Sequence, residues 1–216
     1  MSLRIKICGI TNCEDALAAV QAGADALGFM FYERSPRNVA PSVVREIVKK
    51  LPASISKVGV FVSSPEEVVK RIAAECGLDT LQFHGDELPE FCRNFSGLKI
   101  WKAFRMKDQS SLLQLPAYET DAWLLDSFVP DTLGGTGAKF NWELACAAKK
   151  FGRPIILAGG LTPENVADAV RRVRPCAVDV SSGVESEPGK KDRRRIRAFI
   201  QAVAAMPNAQ CPMPNE

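Results

Sequence analysis

The sequence predicts a single-domain α/β fold, a closed (βα)8 or TIM barrel, and three observations predict it. Eight short apolar runs recur along the 216 residues, with helix-patterned stretches between them. Strands alternating with helices imply parallel pairing through right-handed crossovers. No linker-like break divides the eight units, and the turn after the first strand reads CGIT instead of the glycine fingerprint of an open doubly wound sheet. AGADALGF at 22–29 is faintly echoed by CGLDTLQF at 76–83, about the length of two units later. The barrel is compact against a typical length of about 250 residues.

The first strand, 3–8, is an alternation: Leu3, Ile5 and Ile7 on one face, Arg4, Lys6 and Cys8 on the other, stopped by Gly9. Its helix, 14–22, is entered through Asn12 to Asp15. The second unit pairs a strand at 24–31 with a helix at 41–51, entered at Pro41-Ser42. In the third, a strand at 57–62 precedes Ser64-Pro65-Glu66-Glu67, a capping serine before a proline and two acids, and a helix at 65–75. Strands at 78–84 and 98–104 lead to helices at 87–95 and 108–115. The sixth unit is 122–126 with 141–151, and the seventh 154–158 with 163–172, where Thr162-Pro163-Glu164 repeats the capping device. The eighth strand, 176–181, is followed by a helix at 189–205. These elements set the domain at 1–205. A proline-rich, polar tail at 206–216 is expected to fray.

Composition excludes several classes. A hydrophobic share of 46% and a net charge of +3 describe an ordinary globular chain, and no nucleic-acid partner is expected of so mild a charge. The seven cysteines include no CxxC pair and the chain has one histidine, so no metal site is expected and the thiols read as reduced. The N-terminus lacks the apolar core of a signal peptide, and no apolar stretch approaches the ~18 residues of a membrane span. A cytoplasmic protein with no membrane contact is expected.

In such a barrel, functional residues collect where strands end. The last inward residues are Cys8 on strand one, His84 on strand four, Asp126 on strand six, and Asp179 with Ser181 on strand eight. Trp123 and Leu125 take the face opposite Asp126, as Val178 and Val180 do for Asp179. The loops after strands six, seven and eight are glycine-rich. Gly159 and Gly160 with Ser181, Ser182 and Gly183 suit a phosphate, because glycine lets backbone N–H groups approach an anion. Either motif alone reads better as a tight turn; the two together, in these places, point to the phosphate. Lys6 and the first helix are expected to favour a Cys8 thiolate, whereas a dry pocket keeps a proton on Asp126. Such a pair runs acid–base chemistry with no metal or cofactor.

Seven motifs then stand in order: KICGIT at 6–11, ALGFMFYERSPRNV at 26–39, LQFHGDE at 81–87, LLDS at 124–127, GGTGAKFNW at 134–142, LAGGLTPENV at 157–166 and DVSSGVE at 179–185. Together they resemble phosphoribosylanthranilate isomerase, from residue 3 to about residue 204. The resemblance implies an Amadori rearrangement in tryptophan biosynthesis, with Asp126 as general acid, Cys8 as general base and no cofactor. It implies Arg37 as the holder of the anthranilate carboxylate, Asp179 as a sugar contact, and Gly134, Gly135 and Gly137 as a closing loop. The expected partner is the small phosphosugar-anthranilate substrate, bound by a monomer or homodimer.

His84 stays open between a hydrogen-bonding support, a core histidine and a substrate contact. Cys13 reads as packing or surface, Arg105 as a surface cation beyond strand five, and the run GKKDRRRIR at 189–197 as a solvated face from which Lys190 and Lys191 add field near the phosphate. Three other functions would make different demands. An indole-forming carboxy-lyase calls for a lysine acid with glutamates, a sensor without turnover for loss of Cys8 or Asp126, and a redox module for a resolving cysteine near Cys8.

Overall fold

The computed structural model describes residues 3–127 and 142–206. Its eight barrel strands are β1 (Arg4–Cys8), β2 (Ala26–Met30), β3 (Ser56–Phe61), β4 (Thr80–Phe83), β5 (Lys99–Met106), β6 (Ala122–Ser127), β7 (Ile155–Leu157) and β8 (Ala177–Val180). All pair in parallel with their sequence neighbours, and β1 pairs with β8 to close the ring. The helices are α1 (Cys13–Ala22), α2 (Pro41–Val48), α3 (Glu66–Cys76), α4 (Pro89–Cys92), α5 (Trp142–Ala148), α6 (Val166–Val173) and α7 (Arg193–Ala204). The expected tail and the loop glycines Gly134, Gly135 and Gly137 lie outside the described residues. No described helix is long and apolar enough to cross a membrane.

Local chemistry explains most boundaries. Asn12 caps α1, its side chain accepting from the Asp15 N–H, and Gly23 ends the helix in the left-handed region at φ 109°. Pro41 occupies the first turn of α2, where its missing N–H leaves no gap. Two expected caps differ. Pro65, not Ser64, sits at the cap of α3, without a side-chain hydrogen bond. The Thr162 hydroxyl accepts from the Glu164 N–H, but the turn continues and α6 starts only at Val166.

Between β5 and β6 the expected α-helix is a 3-10 helix, Gln109–Ala117, with Pro116, which has no N–H to donate, in its last turn. α4 is a single turn. A short hairpin, β9 (Glu185–Glu187) with β10 (Lys190–Lys191), precedes α7 and lies within the stretch read from sequence as loop and helix start.

Two apolar layers hold the barrel. A large one packs the outward strand residues, such as Phe29, Phe83, Trp123 and Val178, against the helices. A small one fills the floor of the barrel with Ala103, Ala122, Leu124, Ile156, Ala158 and Ala177. Above that floor the interior turns polar, as the strand-end alternation predicts. Lys6 is 1% exposed and bonds Asp179 at 2.8 Å, these two being register partners across the β1–β8 seam.

Candidate active site

At the mouth formed by the strand C-termini lies a cavity of about 560 Å³, within the usual range for a small-molecule site. Cys8, Arg37, His84, Asp126, Gly159, Gly160, Asp179, Ser181, Ser182 and Gly183 all line it. The residues singled out from the sequence in the described segments therefore converge on one space.

Cys8 ends β1 opposite Gly28 of β2. A Cβ on Gly28 would lie 2.7 Å from the Cys8 sulfur and 3.0 Å from the Lys6 ammonium, so the glycine makes room for both groups. Burial pushes the Cys8 thiol above its ordinary pKa; Lys6 pulls it down and Asp179 adds to the rise. The expected depression of this thiol is thus corrected: desolvation by burial outweighs the lysine, whose charge is shared with Asp179. Lys6 itself, although burial works against its charge, is held above the usual lysine range by Asp179.

Across the mouth, Asp126 ends the inward face of β6. Its Oδ1 accepts from the Ser127 N–H at 2.8 Å. Its Oδ2 lies 3.3 Å from His84 Nε2, near enough for an ion pair but misaligned for a hydrogen bond. Gln82, two residues earlier on the same inward face, places its amide nitrogen 3.0 Å from His84 Nδ1. With that amide donating, the imidazole proton sits on Nε2 and faces Asp126. Gln82 is a site residue that sequence reasoning missed, although the two-residue step from His84 points to it.

The seventh and eighth loops meet at close range. Gly159 and Gly160 adopt φ of 82° and 65°. A side chain on Gly159 would run into the Ser127 N–H at 2.4 Å, and one on Gly183 into the Leu161 carbonyl at 1.9 Å. Both loops therefore require glycine for contact, beyond the turn itself. The buried Ser181 hydroxyl beside them has no hydrogen-bond partner among the described residues.

Arg37 reaches the mouth over Gly9, where a Cβ would lie 2.6 Å from Arg37 Cδ. Its Nε and Nη2 form a bidentate pair with Glu185 at 2.9 and 2.7 Å. Glu185 also accepts from Lys191 at 2.7 Å. Burial opposes its charge, but these two cations hold Glu185 below the usual carboxylate range. Lys191, only 5% exposed, departs from the solvated face expected of its run, because the β9–β10 hairpin folds it inward. Desolvation lowers its pKa against the pull of Glu185. Arg105 also differs from expectation: β5 runs on to Met106, leaving Arg105 half-buried within it in register with Asp126. Cys8, Cys13, Cys76, Cys92 and Cys146 are free thiols as expected, whereas Cys176 is disulfide-bonded.

Comparison with known proteins gives this geometry a family. Residues 5–202 match the model of N-(5'-phosphoribosyl)anthranilate isomerase. A relative of that name from Geobacter sulfurreducens is 55% identical over 199 residues, covering 92% of this chain and 97% of its own. The crystal structure of the phosphoribosyl anthranilate isomerase of Thermotoga maritima superimposes with a TM-score of 0.89 at 41% identity, over 94% of this chain and 100% of that one. Another structure of such an isomerase, in complex with reduced 1-(o-carboxyphenylamino)-1-deoxyribulose 5-phosphate, has a TM-score of 0.86 at 40% identity and covers 94% of this chain and all of its own. The chain belongs to the N-(5'-phosphoribosyl)anthranilate isomerase family.

Proposed function

We propose that Cys8 and Asp126 are the base and the acid with which this chain carries out its family's reaction. That reaction is the isomerisation of N-(5'-phosphoribosyl)anthranilate to 1-(2-carboxyphenylamino)-1-deoxyribulose 5-phosphate, a step of tryptophan biosynthesis. Asp126 gives its proton to the ribose ring oxygen. The bond from that oxygen to C1 breaks, and the anilino nitrogen supplies the electron pair that makes C1 an iminium. Cys8 as thiolate takes the C2 proton, and the C–H electrons neutralise the iminium to an enolamine. Tautomerisation gives the ketone. The cation formed on the substrate is the electron sink, so the chain's own residues need only hold and move protons.

The single observation that carries this reading is the shared cavity, with a buried thiol on one wall and a carboxyl on the other. At rest the raised thiol pKa works against the role. It lowers the thiolate population at rest, yet makes the thiolate a stronger base once formed. Ring opening then places a positive charge beside it, which favours the ionised form at that moment.

The remaining residues supply binding. Gly159, Gly160, Ser181, Ser182 and Gly183 offer the phosphate backbone N–H groups and hydroxyls. Asp179 keeps Oδ1 on Lys6 and has Oδ2 for a sugar hydroxyl. Arg37 turns its remaining amino group, Nη1, toward the anthranilate carboxylate, its other edge being fixed by Glu185. The structure of one relative, from Thermotoga maritima, is described as monomers generated from a dimeric protein.

The test is turnover of freshly generated phosphoribosylanthranilate, followed by loss of its fluorescence. Cys8→Ala and Asp126→Asn, each folded, are expected to lose about 10²- to 10⁴-fold in kcat. A Cys8→Ala variant within threefold of wild type overturns the assignment of the base.

A further inference from the structure

A further buried ion pair, on the outer side of the barrel wall, has no part in the chemistry above. Lys102 leaves β5 outward and is 3% exposed, with Glu87 6% exposed beside it. Its ammonium lies within hydrogen-bonding distance of four oxygens: Gly85 O at 2.7 Å, Ala103 O at 3.1 Å, Glu87 Oε2 at 3.3 Å and Phe83 O at 3.4 Å. The Phe104 and Tyr118 rings flank it, with centroids 5.5 and 5.8 Å away. Glu87 in turn accepts from the Gly85 N–H at 2.9 Å and from the Ser63 N–H at 2.7 Å. The Gly85 residue is therefore held at both its N–H and its carbonyl. It has no space to shift, since even a Cβ there would meet Ser63 Oγ at 2.5 Å and Ser63 N at 2.7 Å.

The held turn has one residue of consequence. His84 lies between Phe83 and Gly85, whose carbonyls both face Lys102. Its own N–H is fixed to the Phe61 carbonyl at 2.8 Å, and its ring reaches from Gln82 to Asp126. Stability alone does not account for the buried pair. Desolvating two charges costs several kcal/mol per ion, and a well-packed apolar pair of similar volume often stabilises as well or better. What an apolar pair cannot do is grip a peptide by its N–H and its carbonyl at once.

We propose that Lys102 and Glu87 are positioning residues for the acid side of the site, fixing the Phe83–Gly85 turn so that the His84 imidazole stands against Asp126. The proposal rests on Asp126 being the acid, and it works through His84, because neither member of the pair lines the cavity.

The experiment uses the full chain and the double variant Lys102→Met/Glu87→Gln, which leaves no charge buried alone; Glu87→Gln alone is carried as a second variant. His84 is the only histidine in the chain, so its imidazole 15N signals report tautomer and motion without assignment. The folded variants are expected to lose about 10- to 100-fold in kcat with KM within about threefold, as for a displaced catalytic group. Their His84 signals are expected to shift or broaden, and Lys102→Arg to restore part of both. A folded double variant with wild-type kcat overturns the proposal. So does a loss of kcat with unaltered His84 signals, because the effect then bypasses the imidazole. Asp126→Asn separates the two claims: if it turns over normally the acid assignment fails, whereas the imidazole signals still judge the positioning.

Discussion

Replacing Gly28 by alanine tests how tightly the sulfur of the proposed base, Cys8, is placed. The new methyl would stand 2.7 Å from the Cys8 sulfur and 3.0 Å from both Lys6 Cε and Nζ. Non-bonded atoms settle near 3.5 Å or beyond, so the sulfur has to retreat by roughly 0.8 Å or swing to another rotamer. Either movement is cheap for the fold, because it ends at the tip of a short side chain; about 1–3 kcal/mol covers the overpacking. For the chemistry it is expensive. A displacement of about 1 Å at a reacting group costs on the order of 100-fold, equivalent to about 2.7 kcal/mol in the barrier. The expected result is a folded Gly28→Ala protein that binds a product analogue nearly normally, with kcat down about 100-fold. Stopped-flow turnover and thermal unfolding on the same preparation read both quantities. A variant within threefold of wild-type kcat would show that the sulfur position is not what limits proton removal.

Two further expectations concern other parts of the molecule. Gly183→Ala places a methyl 1.9 Å from the Leu161 carbonyl, which is backbone and cannot swing aside. The seventh and eighth loops must part, so KM should rise at least about tenfold and inhibition by inorganic phosphate weaken, with a loss of about 1–3 kcal/mol in stability; unchanged phosphate inhibition refutes the phosphate assignment. Burial pushes the thiols of Cys76 and Cys92 up to about 11. The unfolded chain releases those protons near pH ~8.5, so this contribution is fully present below that pH and is lost as pH rises toward 11. Melting curves from pH 7.5 to 10.5 should fall less steeply in a Cys76→Ala/Cys92→Ala protein, and an identical slope in both proteins refutes the linkage.

How much of the fold and the site is legible in the sequence depends on range. The period-two alternation is local, and by itself it sets Cys8, His84, Asp126 and Asp179 on the inward face. Proline placement is local too, but whether 108–115 winds as an α- or a 3-10 helix is not written in its periodicity, and the segment is a 3-10 helix. The partners of those residues are not legible. Arg37 and Glu185 are 148 positions apart, and Lys6 and Asp179 are 173 apart. No periodicity connects such pairs. Lys102 escapes for another reason: lysine is ordinarily exposed, so its place on an outward strand face gives no sign that an ion pair is sealed beneath it. The β9–β10 hairpin is invisible because strands of two and three residues are too short for alternation to show. The direction of the Cys8 shift is misread because a neighbouring lysine is visible in sequence and the completeness of burial is not.

The β1–β8 seam has a consequence for how the chain is made. The lysine beside the Cys8 sulfur finds its carboxylate partner 173 residues later. At ribosomal rates of about 5–20 residues per second, that interval is roughly 9 to 35 s. During it the first strand is synthesised with its ammonium unpaired and one edge open, and the ring has nothing to close against. The thiol's electrostatic surroundings are thus completed only with the eighth strand, long after the thiol itself is made. A nascent chain halted before β8 would carry Cys8, Arg37 and Asp126, yet lack both Asp179 and the Ser181–Gly183 loop. Activity should therefore appear in one step, with the emergence of the eighth strand, instead of accumulating unit by unit.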